Sequence, residues 1–98
     1  MAEFLYRLRL VRPGMFDDGG TRDEQAAVAD HFAYLQKLHG EGVVRFAGRT
    51  TTEDERTFGI VVLDADGDAA ARRVMNEDPA VRRGLMRATL YPFRTALP

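Results

Sequence analysis

The sequence predicts an α+β fold in which two helices pack on one face of a four-stranded antiparallel sheet. Apolar and polar residues alternate near both ends of the chain, which is typical of strands with one buried face. Two segments suited to helices separate the extended ones, and a capping signal opens the first of them. The element order is therefore β-α-β-β-α-β. With 98 residues, the chain is expected to form a single domain over residues 1–98.

The first strand is predicted at residues 4–11, where every even-numbered residue is apolar. A polar, glycine-rich loop over residues 12–20 ends it. The next four residues, Thr-Arg-Asp-Glu, match a capping box with Thr21 as the N-cap and Glu24 as the third helical residue. The first helix therefore begins after Thr21.

This helix is predicted to run to about His39, with Gly40 as the left-handed residue that follows it. A second strand is predicted at residues 43–47. The third, at residues 58–63, is apolar on both faces, which indicates a central strand.

The second helix is predicted at residues 69–76, and the aspartates within residues 64–68 are its candidate caps. Asp78, followed by proline, is a typical N-cap for the short helical turn after it. The last strand is predicted at residues 85–91, with Pro92 restricting further pairing.

This order of elements is the ferredoxin-like split βαβ arrangement, with strand order 4-1-3-2 and both helices on one face. The apolar residues on the other face of the third strand would then lie in water in a monomer. A second copy of the chain would cover them, so the sequence predicts a homodimer. The alternative is a monomer in which the long first loop folds under the sheet.

Charge and composition exclude several classes of partner. The net charge is −1 and the 14 Lys and Arg residues are spread along the chain, whereas nucleic-acid binding needs a concentrated positive field. No window approaches the ~20 apolar residues of a membrane span, and no signal peptide is recognisable. We therefore expect a cytoplasmic protein with no nucleic-acid or membrane partner.

The residue types also limit the chemistry. The sequence contains no cysteine and no serine, so nucleophilic catalysis by either is excluded. No His or carboxylate side chains have the spacing of a metal site, and no glycine pattern completes a phosphate-binding fingerprint. We expect neither metal nor cofactor, which leaves proton transfer as the available chemistry.

His31 is the first candidate for proton transfer, because it falls in the apolar arc of the first helix beside Phe32 and Leu35. A lone histidine there is more often a structural residue with one hydrogen-bonded ring nitrogen. Asp78 is the second candidate, and capping alone also explains it. The two roles are compatible, because a carboxylate accepts several hydrogen bonds. His39 is explained by the favourable position of a cation at a helix end.

Five segments together resemble the YCII-related (YciI-like) family: DHFAYLQKLHGEG, RFAGRT, FGIVVLDAD, NEDPAVRRGLM and YPFRTAL. The resemblance runs from about Phe4 to Leu97 and implies a ferredoxin-like domain that pairs into a dimeric α/β barrel. It also implies a His-Asp active site. The histidine of its H-x-x-[YR]-L segment is His31, and the aspartate of its D-P segment is Asp78.

In such a site Asp78 orients the imidazole, and His31 transfers a proton in a cleft between helix and sheet. The family includes a dehydrochlorinase of a chlorinated hydroxyquinol, and the wider barrel group includes muconolactone isomerases and cofactor-free oxygenases. The implied function is lyase- or isomerase-like acid-base catalysis on a small anionic or aromatic molecule. The alternative is a non-catalytic dimeric module that binds a small molecule.

Four further residues are candidates for substrate binding. Gly48 and Arg49 stand at the end of the second strand, where many relatives have Ala-Gly-Pro. Arg49 either binds an anionic substrate or points to water. Phe58 and Tyr91 either form an aromatic wall or belong to the core. The loop over residues 12–20 is longer than in compact relatives and is either a lid or a connector.

Overall fold

The computed structural model describes all 98 residues. Its elements are, in order, β1 (Ala2–Leu10), α1 (Met15–Asp18), α2 (Arg22–Gly40), β2 (Val44–Arg49), β3 (Gly59–Ala65), α3 (Asp68–Glu77), α4 (Pro79–Arg82) and β4 (Met86–Phe93). The strands form one antiparallel sheet in the order β2-β3-β1-β4. This is the expected 4-1-3-2 order read from the other edge, so the ferredoxin-like α+β prediction is confirmed. None of the helices has both the length and the apolarity needed to span a membrane.

The core lies between one face of the sheet and the helices. The even-numbered residues of β1 point to this face, as their alternation predicts, and they pack with apolar residues of α2 and α3. The buried members from these three elements are Phe4, Tyr6, Leu8, Leu35, Ala71 and Met75. Helix α2 is thereby fixed against the sheet through one side only.

Strand β3 is buried on both faces, which agrees with its continuous apolar sequence. Val62 is 0% exposed although it lies on the face opposite the helices. Its partners in the strand register are Leu5 of β1 and Phe46 of β2. We call this side of the sheet the open face, because no helix covers it. It also carries Tyr91 and Phe93 of β4, which are 44% and 37% exposed.

The start of α2 is as predicted, and its end lies one residue beyond the predicted His39, with a different glycine in the left-handed conformation. The hydroxyl of Thr21 accepts from the N–H of Glu24 at 3.1 Å, and the Glu24 carboxylate accepts from the N–H of Thr21 at 2.8 Å. At the other end Gly40 is still helical, and the left-handed conformation falls on Gly42, with φ +80°. The N–H groups of residues 41–43 bind the last carbonyls of the helix. The chain therefore reverses at the second glycine, because the helix continues through the first.

Three smaller differences concern the end of β4, the N-cap of α3 and the loop after β1. Strand β4 continues through Pro92, which an edge strand tolerates because it leaves alternate N–H groups unpaired. Gly67 occupies the N-cap of α3, and no aspartate of residues 64–68 caps it with its side chain. The loop over residues 12–20 contains helix α1, whose four residues are too few to give a periodic pattern.

Candidate functional site

His31 and Asp78 are in direct contact although 47 positions separate them in the sequence. Nδ1 of His31 lies 2.7 Å from Oδ1 of Asp78. Helix α2 supplies the histidine, and the junction of α3 and α4 supplies the aspartate. The Asp78 side chain is fully buried, whereas that of His31 is 14% exposed. The imidazole of His31 therefore lies at the edge of the core, with the buried carboxylate of Asp78 on its inner side.

Asp78 accepts hydrogen bonds from two further elements. The N–H of Ala80 donates to Oδ1 at 3.0 Å, which is the predicted cap of α4. The hydroxyl of Tyr6 on β1 donates to Oδ2 at 2.9 Å. No buried side-chain nitrogen or oxygen lacks a partner. Such satisfaction is what allows a carboxylate to remain in a dry environment.

The protonation of Tyr6 follows from the same geometry. Burial raises the pKa of the Tyr6 phenol far above its ordinary range, and the charge of the neighbouring Asp78 carboxylate raises it further. The phenol is therefore a donor to Oδ2 over the whole pH range of interest. When Asp78 is ionised it can only accept, so Nδ1 of His31 carries the shared proton and a neutral ring keeps Nε2 as an acceptor.

Tyr34 lies near the pair and has a separate hydrogen bond. Its hydroxyl donates to the backbone carbonyl of Val74 at 2.7 Å, which joins α2 to α3. Burial raises the pKa of Tyr34 to about 12, with smaller contributions from Glu77 and Asp78. Its hydroxyl is thus occupied by the backbone rather than by the pair.

A cavity of about 960 Å³ adjoins His31, between α2 and the sheet. This volume lies in the range of small-molecule sites. His31 lines the cavity, whereas Asp78 and Tyr6 lie behind it. Most of the wall is apolar, with contributions from the sheet and from α2: Leu8, Val44, Val61, Val28, Phe32 and Leu35.

Comparison with known proteins now gives the family. The sequence model of the YCII-related domain family matches residues 9–94. The chain belongs to the YCII-related domain family. The comparison with curated proteins gives no match for this YCII-related domain.

Solved structures share the fold of this domain. One is 5-chloro-2-hydroxyhydroquinone dehydrochlorinase (TftG) from Burkholderia phenoliruptrix AC1100 in complex with 2,5-dihydroxybenzoquinone, with a TM-score of 0.65, 20% identity and 93% of each chain covered. Another is SnoaB, a cofactor-independent oxygenase from Streptomyces nogalater, with a TM-score of 0.51 and 16% identity. The match covers 100% of this chain and 99% of that one. At these identities the comparisons show a common fold.

Gly48 and Arg49 of the YCII-related domain line the same cavity as His31. Arg49 pairs in register with Gly59, which places it on the helix side of the sheet. Its guanidinium has no carboxylate partner, and its hydrogen bond to the carbonyl of Thr50 is long, at 3.4 Å. Arg49 thus contributes to the cavity wall a side chain that has no carboxylate partner. It groups no three His, Asp or Glu side chains that could share a metal ion.

Phe58 and Tyr91 do not reach the cavity. Tyr91 pairs with Leu5, so it lies on the open face. Phe58 precedes β3, and its ring centroid is 5.8 Å from the guanidinium carbon of Arg7. The alternation of β4 puts Tyr91 on the same face as Arg87 and Thr89, which is the face away from the helices.

The aromatic residues that do line the cavity are Phe16, Phe32 and Phe46. Phe32 follows His31 directly and is 61% exposed. Its helical position is compatible with a core residue, and only the gap between α2 and the sheet places it at a cavity. Phe16 lies on α1, the element that the sequence did not predict.

Arg12 fixes the loop that carries α1. Its guanidinium donates to both oxygens of Glu24 at 2.9 and 2.6 Å and to both oxygens of Asp18 at 3.0 and 3.1 Å. Together with the N–H of Thr21, which donates to Glu24, and the N–H of Gly20, which donates to Asp18, these bonds lower the pKa of Glu24 to about 2 and also lower that of Asp18. The loop is thereby tied to the first turn of α2, and Met15 and Phe16 contribute to the cavity wall.

Proposed function

We propose that this YCII-related protein is a small acid-base catalyst of the lyase or isomerase type, in which His31 exchanges a proton with a molecule held in the cavity. The observation that carries the proposal is the 2.7 Å contact between His31 and the buried Asp78 at the cavity wall. A carboxylate on Nδ1 fixes the tautomer of the ring and stabilises the imidazolium that forms during proton transfer. Nε2 is then the atom that accepts a proton from the ligand and returns it.

The cavity favours a small aromatic molecule with an acidic group. Its apolar wall and the rings of Phe16 and Phe32 suit a planar ligand. Arg49 supplies a guanidinium that no carboxylate of the chain occupies, and guanidinium binds carboxylates and phenolates through paired hydrogen bonds. TftG, which shares the fold, binds 2,5-dihydroxybenzoquinone. Hydroxylated rings are therefore the first ligands to test.

The proposal includes a homodimer that buries the open face. Tyr91 and Phe93 are partly exposed there, beside the fully buried Val62 at the centre of the face. A second copy offers the same surface, as a two-fold interface requires. Most of the cavity wall lies on the helix side of the sheet, and Phe46 and Ile60 of the open face border it.

Deuterium exchange tests the proposed chemistry. The purified protein is incubated in D₂O with 2,5-dihydroxybenzoquinone and a panel of hydroxylated aromatic carboxylates, and mass spectrometry measures deuterium at carbon in each ligand. We expect catalysed exchange in at least one ligand and a loss of about 100-fold or more in His31→Gln, the range that general acid-base groups contribute.

Tyr34→Phe serves as the matched control, since it removes a hydroxyl that contacts neither His31 nor Asp78. If ligands bind but no exchange exceeds the rate without protein, the proposed catalysis is wrong. The protein is then the non-catalytic binding module.

A further inference from the structure

We propose that Tyr6 is a positioning residue for the acid-base pair, because its hydroxyl holds the Asp78 carboxylate in the orientation that presents Oδ1 to His31. Tyr6 is fully buried and does not line the cavity, so it acts only through Asp78. The inference rests on the proposed function of His31 and Asp78 and adds a third member to their hydrogen-bonded chain.

The carboxylate of Asp78 is anchored at both oxygens. Ala80, two residues further along, donates to Oδ1 at 3.0 Å, and this local bond belongs to the cap of α4. Tyr6 donates to Oδ2 at 2.9 Å from a strand 72 positions away in the sequence. A carboxylate rotates readily about its last single bond, so donors on both oxygens are needed to fix its plane. Only the bond from Tyr6 ties that plane to the sheet.

Packing alone does not require this hydroxyl. A phenylalanine would fill the same space among the core residues, whereas a buried phenol needs a partner. Tyr34 satisfies its hydroxyl with a backbone carbonyl, which carries no charge. Tyr6 instead donates to the one fully buried carboxylate of the protein, which is also the partner of His31.

Other charged and titratable groups surround the pair, and the substitution Tyr6→Phe alters none of these side chains. Arg83, which follows α4, forms an ion pair with Asp30 of α2 at 2.7 Å. These groups are Asp30, Tyr34 and His39 on α2, Glu77 on α3, Arg83 after α4, Arg49 on β2 and Glu53 in the following loop. None of them forms a hydrogen bond with His31 or Asp78. A shift on changing Tyr6 can therefore be assigned to Asp78.

The expected effect has a definite sign. A hydrogen bond to Oδ2 stabilises the carboxylate most when the imidazole is neutral, because an imidazolium offsets part of the same charge. Loss of the hydroxyl therefore raises the proton affinity of the pair. In Tyr6→Phe, we expect NMR of His31 to show a titration midpoint higher by about one pH unit. Tyr34→Phe is expected to leave the midpoint unchanged.

An unchanged midpoint in a folded Tyr6→Phe variant overturns the inference, with the signals of His39 as the internal control. If that variant does not fold, the same titration is measured on protein in which fluorotyrosine replaces the three tyrosines. Fluorine makes the phenol a stronger donor at nearly the same volume, so the midpoint moves to lower pH, and no movement contradicts the inference.

This test is separate from that of the proposed function. Full deuterium exchange in His31→Gln would overturn the catalytic proposal, whereas the coupling between Tyr6 and the titration of the pair would still be measurable.

Discussion

Asp78 is fully buried, and burial of a carboxylate costs free energy that capping alone does not justify. Thr21 caps α2 from an exposed position, so a cap needs no dry environment. Three hydrogen-bond donors offset the desolvation of Asp78. They are the N–H of Ala80, the hydroxyl of Tyr6 and the proton that Nδ1 of His31 shares with the carboxylate. The arrangement is one that holds an imidazole in a fixed orientation, as the proposed proton transfer requires.

Replacement of Asp78 by asparagine separates charge from shape. Asp78→Asn keeps an oxygen for the cap and nearly the same volume, but it removes the charge that stabilises an imidazolium. We expect catalysed deuterium exchange to fall about 100-fold or more, with a much smaller change in melting temperature than in Asp78→Ala. Exchange at the wild-type rate in a folded Asp78→Asn would contradict the orienting role.

His31 and Asp78 could be selected from the sequence as candidates, whereas Tyr6, which donates a hydrogen bond to Asp78, could not. His31 is conspicuous because an ionisable ring interrupts an apolar arc, and Asp78 because it precedes proline. Tyr6 fits the alternation of β1 as an ordinary core residue. A period of two gives the face of a side chain, but it does not show where the hydroxyl at the end of that side chain finds its acceptor.

At the level of elements, the position of His31 depends on how α2 begins. The reciprocal bonds between Thr21 and Glu24 satisfy amides of the first turn. Thr21→Ala removes one of them and should lower the free energy of unfolding by about 1 kcal/mol. Urea denaturation measures this against Thr51→Ala, an exposed threonine outside any helix or strand. Equal stabilities of the two variants would contradict the capping role.

The ion pairs of Arg12 give a pH-dependent stability. The pKa of Glu24 is lowered to about 2 from an ordinary value of 4.5. The stabilisation is therefore fully present above about pH 4.5 and is lost as the pH falls through 2. Arg12→Gln removes the larger part of this stabilisation and leaves the part that comes from the N–H of Thr21. We expect wild type to melt above the variant at neutral pH and the difference to shrink in acid; a difference independent of pH would contradict this assignment.

Element boundaries were less predictable than element types. The capping box located the start of α2 because its two side chains act locally. The left-handed residue after it could not be located, since Gly40 and Gly42 are both able to adopt that conformation and the structure places it at Gly42. Helix α1 gave no signal because Arg12, Glu24 and Asp18 hold it through contacts between segments.

At the level of the whole molecule, the open face predicts association. The open face also carries Arg7, Arg9 and Arg87, so an arginine added there would be buried in the dimer beside like charges. Tyr91→Arg should therefore raise the dimer dissociation constant at least about 100-fold, because an unpaired buried charge costs several kcal/mol. Ala69→Arg adds the same charge at an exposed position on α3 and should have no effect. Analytical ultracentrifugation measures both, and a monomeric wild type would contradict the proposed dimer.

The sheet order followed from the sequence because alternation, helix signals and turn residues leave few arrangements open. The cavity did not follow, because the same apolar arc of α2 would serve equally well for close packing on the sheet. Phe32 lies in that arc and is nevertheless exposed. A void of about 960 Å³ depends on how far the helix stands from the strands, which periodicity does not encode.

The protonation state of His31 in a ligand complex tests the central proposal most directly. ¹⁵N NMR at pH 8, where histidine is ordinarily neutral, is recorded on the free protein and on protein saturated with the tightest ligand of the panel that still carries a phenol proton at this pH. Proton transfer predicts that Nε2 of His31 is unprotonated in the free protein and protonated in the complex, while His39 does not change. A bound ligand that leaves Nε2 of His31 unprotonated would contradict the proposal.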